Sequence, residues 1–296
     1  MKQLKCATLE GIEALPVTVE STLTRGLPSF TIVGLATNAI SEARERVKSA
    51  LLANEFTFPP KRITINLSPS DVEKRGSQFD LAIALLIALD SSETQFGHWF
   101  AFGELGLDGT VKENTILYPL VLSLANQGIL THAVVPNAAL EKLCNIPQVA
   151  FVGVDNLKEA IAFFKGDEEK PLERTRPSTI AFPAQELDGT RYYFQKAYPD
   201  DFREIRGQEV AKRAALICAC GMHNLLLEGS PGSGKSMIAK RLRYILPPMT
   251  NRELLDVAKL DALEGREPHF TPLRPFRSPH HSGTAASIFG GGCHFH

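Results

Sequence analysis

Apolar and polar residues alternate with two different periods along the first 166 residues, and these periods predict strands and helices in turn. A period of two predicts strands at Leu15–Glu20, Ser29–Leu35 and Arg62–Leu67. Helical spacing predicts a helix at Asn38–Asn54, and the run Asp80–Asp90 is apolar on nearly all sides, as in a buried helix. The inner face of the first helix is expected to contain Ile40, Ala43, Val47 and Leu51.

The same alternation continues to residue 166, so this part of the chain is expected to be an α/β domain. Trp99–Leu107 is predicted to be a strand that ends in the turn Asp108–Gly109, which favours a hairpin and hence a mixed sheet. The remaining predicted elements are helices at Leu117–Gln127, Ala138–Asn145 and Leu157–Phe164, and strands at Ala133–Val135 and Val149–Val154.

Periodicity is lost between residues 167 and 190, where the chain is polar and contains prolines, and we interpret this stretch as a linker. Three parts are therefore predicted: a first domain at 1–166, the linker at 167–190 and a second domain at 191–296. The predicted elements of the second domain are a helix at Gln208–Gly221, a strand at Asn224–Glu228, a helix that ends at Leu246, and a last helix that ends at Leu263. Thr250 and Glu253 form a capping box that opens the last helix.

The loop after the predicted strand matches the phosphate-loop motif G-x-x-x-x-G-K-[ST] at every fixed position. Glycines let the backbone N–H groups approach phosphate oxygens, and the following helix directs its positive end towards the same anion. Lys235 is expected to bind the β- and γ-phosphates, and the Ser236 hydroxyl to bind Mg²⁺. The alternative, a glycine-rich turn that binds nothing, is less favoured because the strand–loop–helix context is also present. The predicted phosphate-binding residues are Gly229, Ser230, Pro231, Gly232, Ser233, Gly234, Lys235 and Ser236.

Composition supports a folded protein without a strong overall charge, because 44% of the 296 residues are hydrophobic, 22% are charged and the net charge is −1. The five cysteines include no C-x-x-C pair, which fits a reducing compartment. The N-terminus has no apolar signal core, and the longest apolar run, Leu81–Leu89, is too short to cross a bilayer. A cytoplasmic location without membrane contact is therefore expected.

Several stretches together resemble the bacterial Mg-chelatase-like AAA+ proteins, the YifB/ComM competence family. They begin at Gly26 (GLPSFTIVGL), Glu42 (EARERVKSA), Asn66 (NLSPSDVEKRGSQFDL), Asp201 (DFREIRGQEVAKRA), Gly229 (GSPGSGKS) and Arg274 (RPFRSPHH). The resemblance implies a ribosomal S5 domain 2-like fold, shared with the Lon proteolytic domain, followed by a AAA+ ATPase. It also implies a homo-hexameric ring that uses ATP and Mg²⁺, and an adenine pocket lined by Ile205, Gly207 and Gln208.

In the competence branch of this family, the ring is a DNA helicase that promotes branch migration during natural transformation. The implied partner is therefore single-stranded or branched DNA, and Arg274, Arg277 and His280 are candidate contacts to its phosphates. A surface loop without this role remains an equal alternative. The histidine pair His280–His281 and the terminal Cys293, His294 and His296 also suggest zinc, but they lack paired ligand spacing, so zinc is less favoured.

The Lon-like resemblance raises the possibility of serine–lysine proteolysis, which the aligned residues do not support. Gln78 stands at the nucleophile position, Ser77 is one residue away from it, and Tyr118 stands at the lysine position. A hydroxyl nucleophile needs an adjacent base, and none is present at the aligned positions. The first domain is therefore expected not to be a peptidase.

A Walker B strand, which AAA+ ATPases use to hold Mg²⁺ and polarise water, is not found in the sequence. The only apolar-to-acidic candidates after the loop, Leu254–Asp256 and Leu263–Glu264, lie in a segment with helical spacing. Family members have Walker B just after a triple glycine such as Gly290–Gly292, so the sequence resembles about the first three-fifths of a family member. We expect nucleotide binding with little or no hydrolysis.

Two other functions remain open at this point. A Mg-chelatase-type ATPase, which drives metal insertion into a porphyrin, would use the same phosphate loop. A scaffold that binds nucleotide without hydrolysing it, and whose first domain binds a partner, would also fit the sequence.

Overall fold

The computed structural model describes residues 2–35, 38–167, 172, 174–280, 282–284 and 286. By their internal contacts the residues form two units. The first unit comprises Met1–Ala181 together with Leu255–Phe270, and the second comprises Phe182–Leu254 together with Thr271–His296.

The first unit is an α/β unit built on one seven-stranded sheet. Its strands are β1 (Lys2–Glu10), β2 (Glu13–Thr24), β3 (Ser29–Val33), β4 (Arg62–Ser68), β5 (Trp99–Ala101), β6 (Glu104–Leu105), β7 (Val111–Lys112), β8 (His132–Pro136) and β9 (Ala150–Val154). Its helices are α1 (Asn38–Ala53), α2 (Asp80–Ala88), α3 (Leu117–Asn126), α4 (Leu140–Leu143) and α5 (Leu157–Lys165).

The main sheet is mixed, with the strand order β3-β4-β2-β1-β5-β8-β9. Strands β4, β2 and β1 pair antiparallel, whereas β3 with β4 and the series β1, β5, β8 and β9 pair parallel. The α/β class and the mixed sheet predicted from the sequence are confirmed. The predicted hairpin forms a separate two-stranded sheet, β6–β7, because the chain leaves the main sheet after Ala101 instead of continuing as one strand to Leu107.

Helix α2 lies at the centre of the core, and every residue from Asp80 to Ile87 is buried. The sequence predicts this burial because the helix has no polar face outside its first residue. Helix α1 instead buries one stripe, and its predicted inner residues Ile40, Ala43, Val47 and Leu51 are all buried in the same core cluster.

Within its described residues, the second unit contains a small sheet, two α-helices and the first turn of a third. Strands β10 (Ala184–Leu187), β11 (Thr190–Tyr193) and β12 (Met249–Thr250) pair antiparallel in that order. The helices are α6 (Glu209–Gly221), α7 (Lys235–Leu242) and α8 (Asn251–Leu263). Strand β10 forms inside the stretch that the sequence pattern predicts to be a linker.

Two predictions for the second unit are wrong. Asn224–Glu228 is not a strand, because no strand of the described residues pairs with it, and Leu226 is 82% exposed. Helix α7 ends at Leu242 rather than Leu246. The predicted capping box of α8 is confirmed, since Thr250 N donates to Glu253 Oε2 at 2.8 Å and Glu253 N donates to Thr250 Oγ1 at 3.2 Å.

Most of α8 belongs to the first unit, because that unit includes Leu255–Phe270. Leu255, Ala258 and Ala262 are buried in the core cluster of the first unit. The Tyr118 hydroxyl donates to Leu255 O at 3.5 Å, and its ring packs edge-on against Phe270. We call the segment Leu255–Phe270 the returning segment.

A candidate nucleotide-binding loop

The phosphate loop follows Glu228 and ends at the first turn of α7. Gly232 and Gly234 have φ angles of 82° and 90°, which lie in the left-handed region that favours glycine. An added Cβ would meet no atom within 4 Å at either position, so backbone conformation and not space requires glycine there. These two turns give the loop the compact shape that its motif predicts.

The Lys235 side chain lies over the phosphate loop and contacts its backbone. Its Nζ donates to Gly229 O at 2.7 Å and to Ser230 O at 2.8 Å, and lies 3.4 Å from Ser233 Oγ. These three contacts place the positive charge over the loop backbone. Phosphate oxygens, which carry negative charge, would offer this amine stronger acceptors than neutral carbonyl groups do.

The start of α7 leaves its first backbone donors available for an anion. Gly234 caps the helix, and its carbonyl accepts from Met237 N and Ile238 N, both at 3.0 Å. The N–H groups of Lys235 and Ser236 precede these bonds and belong to the first turn, whose donors have no intrahelical partner. The Ser236 side chain is exposed beside them. The donor set therefore fits a phosphate group at a helix N-terminus.

The three candidate adenine-pocket residues lie in the segment that leads into α6. Ile205 is 5% exposed and packs in the apolar cluster with Ala215 and Ile238. Gly207 and Gln208 both adopt left-handed backbone angles, and Gln208 Nε2 donates to Ser233 O at 3.3 Å. The structure thus brings Gln208 onto the phosphate loop and buries Ile205 beneath α7.

The two apolar-to-acidic candidates for Walker B lie in helical structure. Leu254–Asp256 is inside α8, and Leu263 is its last residue. In AAA+ ATPases the Walker B carboxylate follows a strand, and neither candidate follows one. The triple glycine Gly290–Gly292 lies outside the described residues.

The candidate DNA contacts have different environments. Arg274 donates to Pro247 O, Pro248 O and the Glu253 carboxylate, whereas Arg277 and His280 are exposed. His280 Nδ1 lies 2.6 Å from Ser282 Oγ. The bond between Glu253 and Arg274 could not be inferred from the sequence, because the capping box identifies Glu253 but no local pattern links it to a residue 21 positions later.

No group of three or more His, Cys, Asp or Glu side chains among the described residues could hold a metal ion. The other members of the suggested zinc cluster, His281, Cys293, His294 and His296, lie outside the part of the chain that the structure describes.

The residues at the Lon-like positions are held in structural contacts. Gln78 is buried, and its amide donates to Ala7 O at 3.0 Å and Arg75 O at 2.8 Å. Ser77 donates to the Glu104 carboxylate. Burial raises the pKa of Tyr118, and the charge of Asp256 raises it further, so its hydroxyl stays protonated and is a donor.

Comparisons with known proteins are consistent across most of the chain. A family model for subunit ChlI of Mg-chelatase matches residues 19–139, and a second model, magnesium chelatase subunit ChlI, matches residues 201–296. The competence protein ComM of Haemophilus influenzae is 36% identical over 95% of this chain and 54% of its own length. YifB of Salmonella typhimurium is 36% identical over 95% of this chain and 53% of its own length. YifB of Escherichia coli is 34% identical over the same shares.

The chain therefore spans about half the length of the curated relatives that it matches. Within the described residues, no helix combines the length and the apolar character needed to cross a bilayer.

Proposed function

Because the chain belongs to the Mg-chelatase-like family of ComM and YifB, we propose that it is the ATP-binding part of a AAA+ motor acting on DNA. The observation that carries this proposal is the position of Lys235, which lies over a left-handed glycine loop at the start of α7. A lysine there supplies positive charge where the terminal phosphates of a nucleotide would bind.

Each residue of the loop has a distinct part in this proposal. The N–H groups of the loop and of the first turn of α7 donate to phosphate oxygens. Lys235 exchanges its bonds to Gly229 O and Ser230 O for bonds to the terminal phosphates, and the Ser236 hydroxyl binds Mg²⁺. Gln208, a proposed adenine-pocket residue, donates a hydrogen bond to Ser233 O and so holds the loop in place. Bound Mg-ATP supplies the free energy of phosphate transfer.

DNA is the proposed substrate class, single-stranded or branched, and the proposed working form is a homo-hexameric ring in the cytoplasm. The name of the Haemophilus influenzae relative, a competence protein, supports a role in DNA uptake or integration. The exposed Arg277 and His280 are suitable donors to phosphate oxygens.

The first unit, in this proposal, is a ribosomal S5 domain 2-like domain without peptidase activity. Two features of the unit support this assignment. No lysine among the described residues donates to Ser77 or Gln78, and Tyr118 occupies the lysine position with its hydroxyl protonated.

Titration of the chain with Mg-ATP, followed by calorimetry, tests the nucleotide site. Lys235→Ala should weaken binding by about tenfold or more, because a hydrogen bond to a charged group contributes about 1.5–3 kcal/mol. Lys240→Ala is the matched control, since this lysine is exposed in the last turn of α7 and should leave the affinity unchanged. Equal affinities for all three proteins would contradict the assignment of the loop.

A second function, an ATPase for metal insertion into a porphyrin, is favoured by the description of both matching family models as Mg-chelatase subunits. Labelled single-stranded and branched DNA separate the two functions when binding is measured by fluorescence anisotropy with Mg-ATP. Salt-dependent binding supports the DNA motor. The absence of binding at low salt would favour the chelatase function.

A further inference from the structure

Arg274 is held by three acceptors within the second unit. Its Nε donates to Pro247 O at 2.8 Å, and its Nη2 donates to Pro248 O at 3.3 Å. Its Nη1 donates to Glu253 Oε1 at 2.9 Å. Only 16% of its side chain is exposed. The guanidinium therefore faces the protein, where it joins the turn after α7 to the start of α8.

Glu253 also belongs to the start of α8, so Arg274 binds a group that is already fixed. The other carboxylate oxygen of Glu253 accepts from Thr250 N at 2.8 Å and from Thr250 Oγ1 at 3.2 Å. Burial alone would raise the pKa of Glu253, but the bonds from Arg274 and Thr250 outweigh this effect and lower it. At neutral pH the carboxylate is thus ionised and forms a charge-assisted bond with Arg274.

The segment after Arg274 has no regular secondary structure up to His280. Pro275 and Pro279 restrict its backbone, because the proline ring fixes φ. Arg277 lies between them and is exposed. A short segment of this kind presents Arg277 in a defined direction only if one end is anchored, and Arg274 is its N-terminal residue.

We propose that Arg274 is a positioning residue, which anchors the segment Arg274–His280 to Pro247, Pro248 and Glu253 so that Arg277 meets the DNA backbone. The inference deepens the proposed function and rests on it for the identity of the ligand. The two arginines of the segment thus have different roles: Arg274 binds the protein, and Arg277 binds a DNA phosphate.

Arg274 is poorly placed to bind DNA itself. A phosphate would have to displace Glu253 and two carbonyl oxygens, and the partly buried Glu253 carboxylate would then lose its charged partner. Removing the partner of a partly buried charge costs more free energy than removing the partner of a fully hydrated one. Arg277, by contrast, has an exposed side chain that DNA can reach.

A double-mutant cycle on Arg274 and Glu253 tests the anchoring. Arg274→Gln and Glu253→Gln should each lower the thermal unfolding midpoint by about 5 °C, and the double variant should lose little more than either single variant. Arg274→Lys, which keeps a positive charge for Glu253 and a donor for a neighbouring carbonyl, should lose less than Arg274→Gln. Hydrogen exchange of residues 250–253 and 274–280 should rise in the single variants.

Arg213→Gln is the matched control, because Arg213 is an exposed arginine of α6 and its loss should change neither midpoint nor exchange. Strictly additive effects of Arg274→Gln and Glu253→Gln, or unchanged exchange in both segments, would overturn the anchoring role.

A second experiment measures the affinity of the parent chain and its variants for labelled single-stranded DNA across a range of salt concentrations. Arg277→Gln should lower the slope of log affinity against log salt by about one. Arg274→Gln should weaken binding with an unchanged slope, and Arg274→Lys should weaken it less. A slope lowered by Arg274→Gln but not by Arg277→Gln would reverse the two roles and refute the inference. If neither the parent chain nor any variant binds DNA, the proposed function fails. The double-mutant cycle still tests the anchoring of the segment, because it measures unfolding and not DNA binding.

Discussion

Asp80 is a buried carboxylate of the first unit with a charged partner. Its side chain is fully buried, and Arg46 contacts it through Nε at 2.6 Å and Nη2 at 3.1 Å. Leu105 N donates to the same carboxylate at 3.2 Å. Burial raises the pKa of Asp80, and the bonds from Arg46 only partly offset that effect. One ion pair therefore joins α1 to the start of α2.

Arg46→Met should destabilise the first unit by about 3 kcal/mol at neutral pH, because a buried carboxylate is left without its charged partner. The folded-state pKa of Asp80 is above its unfolded value, so this group stabilises the fold most at low pH, and the contribution falls as pH rises through the folded pKa. Arg46→Met raises that pKa further. Urea unfolding at pH 7 and pH 5 should show that acidification raises the free energy of unfolding more in Arg46→Met than in the parent chain.

Arg25→Met is a suitable control for this measurement, since Arg25 is exposed beyond the end of β2. A loss of stability in Arg46→Met that is the same at both pH values would contradict the assignment of Asp80 as the titrating group.

At the scale of elements, the returning segment packs against Tyr118, the residue at the aligned lysine position. Tyr118 is 1% exposed and packs against Leu255 and Phe270. Lys259 of the same segment contacts Glu13 at 3.1 Å, and Glu13 also accepts from Ser123. The position where a Lon-like domain would have its lysine amine is thus part of an apolar contact.

Tyr118→Lys should lower the thermal unfolding midpoint, since an amine would be buried against Leu255 and Phe270 and burial is the larger effect there, with the charge of Asp256 second. It should produce no cleavage of a casein substrate, because Gln78 offers no hydroxyl at the nucleophile position. Tyr118→Phe is the control and should cost at most about 1 kcal/mol, the contribution of one hydrogen bond. Casein cleavage by Tyr118→Lys would revive the peptidase hypothesis.

Helices and strands differ in how far they can be predicted here. Helix α1 and the capping box of α8 depend on residues three or four positions apart, so a single sequence reveals them. A strand depends on partners far along the chain, and Asn224–Glu228 shows the consequence. Its apolar residues have the right composition, yet no strand of the described residues pairs with them.

At the scale of the whole molecule, the sequence contains the phosphate-loop motif, and neither apolar-to-acidic candidate for Walker B follows a strand among the described residues. The acidic candidates near Leu254 and Leu263 lie in or directly after α8. We therefore expect a polypeptide of these 296 residues to bind Mg-ATP but to hydrolyse it slower than ordinary AAA+ proteins by orders of magnitude. Phosphate release at saturating ATP measures this rate, with Lys235→Ala as the background. A turnover of about 1 s⁻¹ or faster would contradict the expectation.

The phosphate loop and the class of the fold follow from the sequence by itself. The motif from Gly229 to Ser236 is continuous, and the turns of Gly232 and Gly234 depend on local backbone freedom. The alternation of strand and helix patterns in the first 166 residues likewise predicts an α/β unit, because burial of one face imposes a period on neighbouring residues.

Only the tertiary structure decided which distant residues share a contact. It showed that Leu255–Phe270 packs with the first unit, and that Arg274 binds Glu253 and the Pro247–Pro248 turn. Both contacts join parts of the chain that no local period relates, because packing depends on complementary surfaces and not on sequence spacing. For Arg274 this changed a candidate DNA contact into a proposed anchor, with Arg277 as the residue presented to DNA.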